Sequence, residues 1–353
     1  MTFKNTHSSL NELQFAARDV DEALEAILVD RARGPVASHY NMIRYFLGFT
    51  DENFHEIGNS SGKRFRPGLC LFLAQAYGVR DKAFDAALAI ELFHNFTLIH
   101  DDIEDHDEYR RNRPTVWKLW GVNNAINSGD ALSLIASERC AIAGERSGAG
   151  ERLVRAMHNT FLEVIEGQYM DFELATSPLD SEVVTLDWYS EMIGKKSGAL
   201  VRVAAEVAGI VAGKQGKEID HLREYGMSLG TAYQMADDFR SVWDTQEVTG
   251  KDTSSDVREH KRTYPFLAAY MQLKGADKKR LFNLYSQTHQ LTQKEIEEVL
   301  SLFSKTSSRE DTVRAMREYS DRARAAAREL SVPESEKNNL IDLVDALVPD
   351  SQH

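Results

Sequence analysis

The chain has 353 residues, of which 42% are hydrophobic and 27% are charged, as is usual for a water-soluble globular protein. The balance of 42 Lys and Arg against 55 Asp and Glu residues gives a formal net charge of −13, which argues against nucleic-acid binding. The chain lacks a signal-peptide pattern and a run of the about 20 apolar residues that a membrane helix requires. We therefore expect a cytoplasmic protein without a membrane span.

Apolar residues recur at spacings of three and four along most of the chain, which predicts amphipathic helices. In chain order these segments are 13–29, 69–77, 84–100, 124–143, 153–174, 186–211, 219–243, 265–273 and 313–330. No stretch shows sustained alternation with turn residues, so no β-sheet is predicted. Residues 253–265 are expected to form a polar loop, and residues 276–353 charged amphipathic helices. Because no Ser- or Gly-rich linker divides the chain, we expect one all-α domain spanning residues 1–353.

An acidic cluster follows the apolar run that ends at residue 100. Asp101, Asp102, Glu104 and Asp105 fall within five residues, and Asp101 and Asp105 lie one helical turn apart on one face. Their repulsion destabilises a helix unless a divalent cation lies between them, and hard oxygen ligands with open water positions suit Mg²⁺. For a DDxxD pattern alone, a solvated acidic helix end is the alternative interpretation.

A second aspartate pair, Asp237 and Asp238, ends another apolar helical segment. Two such pairs facing each other across a bundle core would suit several Mg²⁺ ions and a diphosphate. Basic side chains, the usual partners of phosphates, stand near the ends of the predicted helices. They suggest two bound anions, one held through metal and one held directly. These basic residues are Lys63, Arg64, Arg66, Arg110, Arg111, Lys195, Lys196, Lys251, Arg258, Lys261 and Arg262.

Together these motifs resemble those of the trans-isoprenyl diphosphate synthases, the polyprenyl synthetase family. The family's first aspartate-rich motif resembles DDIEDHDEYRRNRPT, with Asn112 where glycine is usual. GGKRxRP resembles SGKRFRP, with Ser61 for the first glycine, and GQxxDL resembles GQYMDFE. The family's Lys-Thr pair corresponds to Lys196 and Ser197. The second aspartate-rich motif resembles YQMADDFRS, followed by TGKD and HKRTYP, and Ser241 stands where its last aspartate is usual.

The resemblance covers about residues 20–350 and is greatest to short-chain synthases of the geranylgeranyl diphosphate type. It implies the isoprenoid synthase fold, a helical bundle around a deep central cavity, and a homodimer. It also implies three Mg²⁺ ions. Asp101 and Asp105 would bind the two that hold the allylic diphosphate, and Asp237 would bind the third, with Asp238 assisting through water.

The same resemblance implies roles for further residues. Arg110, Lys196 and Lys251 would contact the allylic diphosphate, with Lys261 nearby. Isopentenyl diphosphate would be held without metal, and Ser197 and Gln234 would lie beside the reacting carbons, so that Lys196, Ser197 and Gln234 are the catalytic candidates. For His94 alone, a helix histidine with satisfied hydrogen bonds is the alternative. The residues implied for isopentenyl diphosphate are Lys63, Arg66, His94 and Arg111.

Ser241 leaves the second motif without its usual last carboxylate. The next acid, Asp244, lies seven residues after Asp237, about 10.5 Å further along a helix. We therefore expect Asp237 to be the one direct protein ligand of the third Mg²⁺.

Product length is expected to depend on Phe96, five residues before Asp101 and more than one turn deeper in the predicted helix. In the resembled family an aromatic ring there suggests a floor that stops chain growth, and the small Thr97 beside it leaves some room. The predicted reaction is head-to-tail condensation of isopentenyl diphosphate with dimethylallyl, geranyl or farnesyl diphosphate. We expect the C20 product, with the C15 product as the alternative. Phe96 as an ordinary core residue is equally compatible with the sequence.

Two other functions fit part of the pattern. A class I terpene cyclase needs Asn or Asp, then Ser, then Glu at positions four residues apart. Asp237 and Ser241 fit this pattern, but Thr245 does not. A cyclase would also leave Lys63, Arg66 and Arg111 without a second diphosphate. A non-catalytic synthase subunit is disfavoured by the intact first acidic cluster.

Overall fold

The computed structural model describes residues 6–57, 64–243 and 254–348, and this part of the chain confirms the all-α prediction. Among these residues, no helix combines the length and apolar character needed to cross a membrane. The helices are α1 (Thr6–Ala16), α2 (Val20–Arg31), α3 (Ala37–Leu47), α4 (Phe65–Ala76), α5 (Arg80–Glu104), α6 (Val116–Trp120), α7 (Val122–Ser147), α8 (Gly150–Thr176), α9 (Leu186–Ile193), α10 (Ala199–Val211), α11 (Lys217–Trp243), α12 (Ser255–Arg258), α13 (Tyr264–Gln272), α14 (Gly275–Tyr285), α15 (Gln293–Phe303), α16 (Ser308–Arg328) and α17 (Glu334–Leu347).

One small hairpin corrects the prediction that the chain has no β-sheet. Strand β1 (Tyr109–Arg110) pairs antiparallel with β2 (Arg113–Pro114). The strands are too short for alternation to show in the sequence. The two residues between them, Arg111 and Asn112, have φ angles of 53° and 60°, as a two-residue hairpin turn requires. Asparagine tolerates this left-handed region better than most residues, which explains Asn112 where the resembled motif has glycine.

Three further predictions of local structure need correction. The predicted helix 13–29 is two helices, because α1 ends at Ala16 and α2 begins at Val20. The predicted helix 186–211 is interrupted by a π-helical segment, Gly194–Gly198, between α9 and α10. The polar loop contains the four-residue helix α12, which is too short to show helical periodicity.

The chain divides into two compact units. The first comprises Met1–Phe161, Val203–Asp220 and Ser331–Glu336, and the second comprises Leu162–Arg202, His221–Leu330 and Lys337–His353. That both units form a single functional domain stays a prediction.

Helix α5 forms the centre of the first unit, where it packs along α7 and α4. Its buried face alternates alanines, such as Ala83 and Ala87, with larger residues such as Leu92, so that neighbouring helices approach closely. A buried acid, Asp85, forms ion pairs with Arg139 and Arg146 of α7. The polar C-terminal end of α5 carries the first acidic cluster, Asp101, Asp102, Glu104 and the C-cap residue Asp105.

The second unit has an apolar core, to which α9, α11 and α13 to α15 contribute, and this core includes stacked aromatic rings. The rings of Phe266 and Tyr285 stack with their centroids 4.0 Å apart, and both side chains are buried. Met235 and Ala236 of α11 are buried in the same core. Since these apolar residues fix the orientation of α11, they also fix the direction of its last turns, which carry the second acidic cluster, Asp237 and Asp238.

Candidate active site

The first acidic cluster is paired with Arg110 of the hairpin. Arg110 Nε donates to Asp102 Oδ1 at 2.5 Å, and its Nη2 donates to Asp101 Oδ2 at 3.1 Å. Asp102 is 1% exposed, and burial raises its pKa to about 6 although Arg110 opposes the shift. The Oδ2 atom of Asp102 is buried and has no hydrogen-bond partner among the described residues. Asp102 thus holds Arg110 in place.

Asp101 and Asp105 offer the two carboxylates that the sequence assigns to metal. Asp101 is half-buried, whereas Asp105 is the exposed C-cap residue of α5. Within the described ranges, no three or more His, Cys, Asp or Glu side chains are arranged to hold a metal ion. Mg²⁺ is usually bound through only one or two carboxylates plus water and phosphate oxygens. This pair of hard oxygen donors therefore fits Mg²⁺.

Two turns before the acids on α5, His94 contacts a cationic side chain of α4, Arg66. Arg66 Nη1 lies 3.0 Å from His94 Nε2. Because a guanidinium can only donate, Nε2 accepts and the imidazole is neutral. Burial lowers the pKa of His94 well below its usual value, and the nearby Arg66 and Arg111 lower it further. Three of the four residues predicted for isopentenyl diphosphate are thus close together; Lys63 lies outside the described residues.

A cavity of about 120 Å³ adjoins the hairpin. Arg110 and Arg111 line it together with Tyr45 and Phe46. Arg111 is an exposed residue at the tip of the hairpin, but part of its side chain is desolvated, which lowers the pKa of its guanidinium.

Phe96, the predicted floor, belongs to a ladder of rings in the first unit. Its centroid lies 5.1 Å from that of Phe93 and 4.8 Å from that of His100. Phe93 in turn stacks on Phe161 at 3.8 Å. The ladder holds the Phe96 ring from two sides, since aromatic pairs of this kind prefer defined geometries.

In the second unit, the π-helical segment presents Lys196 and Ser197. Such segments replace regular α-helix most often at functional positions. A Cβ atom on Gly167 of α8 would lie 2.3 Å from the Lys196 backbone nitrogen, so the glycine of GQYMDFE allows the close approach. Lys196 Nζ donates to Asp171 Oδ2 of the same motif at 2.5 Å.

A chain of hydrogen bonds joins three predicted site residues. Ser197 Oγ donates to Gln234 Oε1 at 2.9 Å, and Gln234 Nε2 donates to Asp238 Oδ1 at 2.9 Å. The Tyr189 hydroxyl donates to the other oxygen of Asp238. Burial, together with the negative charge of the nearby Asp256, raises the pKa of Asp238 to about 8. Asp238 is therefore a protonatable carboxyl at neutral pH.

Asp237 and Ser241 differ sharply in their surroundings. The Asp237 side chain is 50% exposed and lies 4.0 Å from Arg240 Nη1. Ser241 Oγ donates to the Asp238 carbonyl at 2.8 Å and also contacts the carboxylate of Asp256. Position 241 has no carboxylate of its own. A carboxylate nevertheless lies beside it, because Asp256 of α12 contacts Ser241.

The remaining predicted residues are placed only in part. Lys261 is 52% exposed, and its Nζ lies 3.2 Å from Glu259 Oε2 and 3.9 Å from Asp256 Oδ1. Lys251, Asp244 and Thr245 lie outside the described residues. That the two acidic clusters face one substrate stays a prediction.

The family model described as polyprenyl synthetase matches residues 49–303. The chain belongs to the polyprenyl synthetase family. A farnesyl diphosphate synthase of Mycobacterium tuberculosis is 38% identical over 227 residues, which span 64% of this chain and 61% of that relative. A geranylgeranyl diphosphate synthase of the same species is 34% identical over 276 residues, 78% of this chain and 76% of that relative.

A solved structure of a polyprenyl synthetase from Streptomyces coelicolor shares the fold of this polyprenyl synthetase. It is 30% identical, with a TM-score of 0.84 over 96% of this chain and 99% of that one. This likeness confirms the predicted isoprenoid synthase fold.

Three residues that contact the candidate site are absent from the sequence-based predictions. Asp171 stood in a recognised motif, so its spacing from Gly167 was an available signal. Asp256 lies in the segment predicted as a polar loop, where the sequence offers no sign that its carboxylate contacts Ser241. Tyr189 had no signal at all, because a tyrosine in an apolar helical pattern is ordinarily a core residue.

Proposed function

We propose that this polyprenyl synthetase is a Mg²⁺-dependent trans-prenyltransferase. It condenses isopentenyl diphosphate with dimethylallyl, geranyl or farnesyl diphosphate, head to tail, into an all-trans prenyl diphosphate. One observation carries the proposal. Helix α5 holds a pair of hard acids suited to metal, Asp101 and Asp105, and two turns earlier His94 joins a cationic group suited to an anion without metal. Chain elongation binds two diphosphates, so it needs both the acids that bind metal and the cationic group that binds an anion directly.

On the allylic side, we propose that Asp101, Asp105 and Asp237 hold three Mg²⁺ ions, with Asp238 assisting through water. Bound Mg²⁺ supplies positive charge that stabilises the leaving diphosphate. Guanidinium and ammonium groups of the chain add to that stabilisation without any proton transfer. These cationic residues are Arg110, Lys196 and Lys251, with Lys261 nearby.

On the other side, Lys63, Arg66, His94 and Arg111 bind isopentenyl diphosphate directly. Binding both substrates supplies orientation, which is worth up to about 7–11 kcal/mol in favourable cases. The allylic C–O bond breaks, and its electron pair leaves with the diphosphate. The double bond of isopentenyl diphosphate then attacks the allylic cation, a C–C bond forms, and a proton is lost to the departing diphosphate. Ser197 and Gln234 lie beside the reacting carbons, and apolar walls exclude water from the cation.

The product that we propose is geranylgeranyl diphosphate, C20. Farnesyl diphosphate, C15, is the alternative, and the 38% identical relative of that name favours it. The ladder of rings around Phe96 supports its role as a floor. Phe96→Ala is expected to lengthen the product, whereas Phe84→Ala, an aromatic truncation earlier on α5, is not. Product analysis by chain length decides; an unchanged profile in Phe96→Ala would remove this residue as the floor.

We further propose a homodimer in the cytoplasm, with residues 1–353 acting as one domain. Helix α7 supports the homodimer, because Val122, Ile126 and Leu134 lie on one face and are 43%, 40% and 72% exposed. Sedimentation of wild type and Leu134→Glu tests this assembly.

The deciding experiment incubates purified protein with Mg²⁺, isopentenyl diphosphate and each allylic primer. Prenyl diphosphate products are expected, and their lengths distinguish C15 from C20. Release of a hydrocarbon would instead identify a cyclase, and the absence of any product a non-catalytic subunit. A parallel incubation with chelator is expected to give no product.

A further inference from the structure

We propose that Arg64 is a positioning residue for the isopentenyl diphosphate site, acting through a buried ion triad with Asp21 and Glu91. The proposal rests on the proposed function, and it concerns an arginine for which the family resemblance implied no role.

The triad is almost entirely removed from solvent. The side chains of Arg64, Glu91 and Asp21 are 4%, 5% and 18% exposed. Arg64 Nε donates to Asp21 Oδ1 of α2 at 2.6 Å, and Arg64 Nη1 donates to Glu91 Oε1 of α5. A buried guanidinium is tolerated when carboxylates pair with it, and removing one of them leaves uncompensated charge. The triad therefore joins three segments of the first unit at one point.

The backbone at Arg64 is held in an unusual conformation. Arg64 precedes the first residue of α4, and its φ of 45° lies in the left-handed region that a long side chain rarely adopts. The triad explains why this conformation persists, because the two ion pairs hold the side chain where it is. The first turn of α4 consequently starts in a defined direction.

That direction matters because Arg66 is two residues further on. Its guanidinium contacts His94, and His94 follows Glu91 by three residues, one turn along the same face of α5. The triad and the contact between Arg66 and His94 are therefore neighbouring links between α4 and α5. A second bond strengthens the first link, since Asn95 Nδ2 donates to Glu91 Oε1 at 3.0 Å.

Arg111 is coupled to the same triad through its charge. Burial lowers the pKa of Arg111, Arg64 lowers it further, and Glu91 raises it. Glu91 thus offsets the repulsion that Arg64 exerts on the neighbouring guanidinium. The negative charge of Glu91 also repels an anion nearby, so neutralising Glu91 would strengthen diphosphate binding if only its charge mattered. If Glu91 positions Arg64, the same change would weaken diphosphate binding.

The test measures which of these two effects Glu91→Gln has. If Glu91 acted only through its charge, Glu91→Gln would bind a diphosphate more tightly. If it positions Arg64 and thereby Arg66, the KM for isopentenyl diphosphate should rise about 10-fold or more, because small misplacements at a binding site are costly. The KM for the allylic primer should change less than about twofold, since those ligands are held by other residues.

Asp85→Asn is the matched control. It neutralises a second buried acid of α5 that pairs with two arginines, Arg139 and Arg146, neither of which is a predicted site residue. It is expected to lower the melting temperature and to leave both KM values unchanged. Asp21→Asn, which removes the more exposed acid, should shift the KM for isopentenyl diphosphate in the same direction as Glu91→Gln but less. It keeps the test available if Glu91→Gln fails to fold.

An unchanged or lowered KM for isopentenyl diphosphate in Glu91→Gln would overturn the proposal, as would an equal rise in Asp85→Asn. If the wild-type chain forms no prenyl product, the proposed function fails. Calorimetric binding of isopentenyl diphosphate to the same variants then tests Arg64 separately, with a weaker affinity in Glu91→Gln expected and an unchanged affinity contradicting the proposal.

Discussion

The two acidic clusters have similar sequences but different chemical surroundings. Each places an aspartate pair at the end of an apolar helix. In the first, Arg110 contacts both members of the pair, and the pKa of the buried Asp102 rises only to about 6. In the second, Asp238 receives hydrogen bonds from a hydroxyl and an amide, and its pKa rises to about 8. Burial raises both pKa values, but Arg110 opposes the shift in the first cluster, whereas the negative charge of Asp256 adds to it in the second.

The largest loss of activity is expected when a proposed metal ligand of either cluster is removed. Asp101→Ala and Asp237→Ala should each lower kcat/KM by about 1,000-fold or more, because charge stabilisation in the transition state is lost. Asp244→Ala should not, since Asp237 is the proposed direct ligand. Asp180→Asn, an exposed acid, serves as the neutral control. Steady-state assays with saturating Mg²⁺ measure the effect, and equal losses in Asp237→Ala and Asp244→Ala would contradict the proposed ligand set.

The next effect concerns the stability of the first cluster. Arg110→Gln leaves Asp102 buried without its guanidinium, and the free energy of unfolding should fall by about 2–4 kcal/mol. The matched change, Arg33→Gln, breaks an ion pair with Asp30 in which both side chains are mostly exposed, and no measurable loss is expected. Denaturant unfolding at pH 7 measures both variants. Equal stability of the two would show that the buried pair is not what holds the hairpin.

The charge state of the second cluster predicts a pH dependence. The pKa of Asp238 is raised in the folded state from its ordinary 3.8 to about 8, so between these values the folded chain binds a proton that the unfolded chain has released. Stability should therefore fall as pH rises across this window, by on the order of 1 kcal/mol per pH unit from this group.

Asp238→Asn should reduce that slope, because the amide does not titrate. Asp237→Asn, which changes the half-exposed neighbour, should change the slope much less, because Asp237 adds least to the raised pKa of Asp238. Thermal unfolding of metal-free protein from pH 5 to 8 provides the measurement. A slope that is the same in wild type and Asp238→Asn would show that Asp238 is ionised throughout.

The smallest effect is expected at Ser241. Ser241→Ala removes the hydroxyl that contacts the Asp256 carboxylate and the Asp238 carbonyl, so the unfolding free energy should fall by about 1 kcal/mol. Turnover should change little, because the serine is not a proposed ligand. Ser241→Asp places a third acid beside Asp238 and Asp256 and should be less stable than Ser241→Ala in the absence of metal. The reverse order would mean that position 241 tolerates a carboxylate without a cation.

The sequence alone was sufficient for the helical class and the family, whereas the roles of the candidate site residues stay predictions. Apolar periodicity and motif spacing are local properties, so they can be recognised without knowledge of the fold. Asp101 and Asp105 could be placed on one face, and Lys196 and Ser197 could be recognised as a pair. The hairpin at Arg111 was missed because two-residue strands leave no alternation to detect.

Only the tertiary structure decided which of these residues are buried and what they contact. Asp102 and Asp238 belong to similar dipeptides, yet their pKa values differ, because the effect of burial is opposed by Arg110 in one case and reinforced by Asp256 in the other. Those partners come from other segments of the chain. Burial and long-range contacts determine the free-energy cost of ionising a buried carboxyl group. Neither can be read from the spacing of residues along a helix.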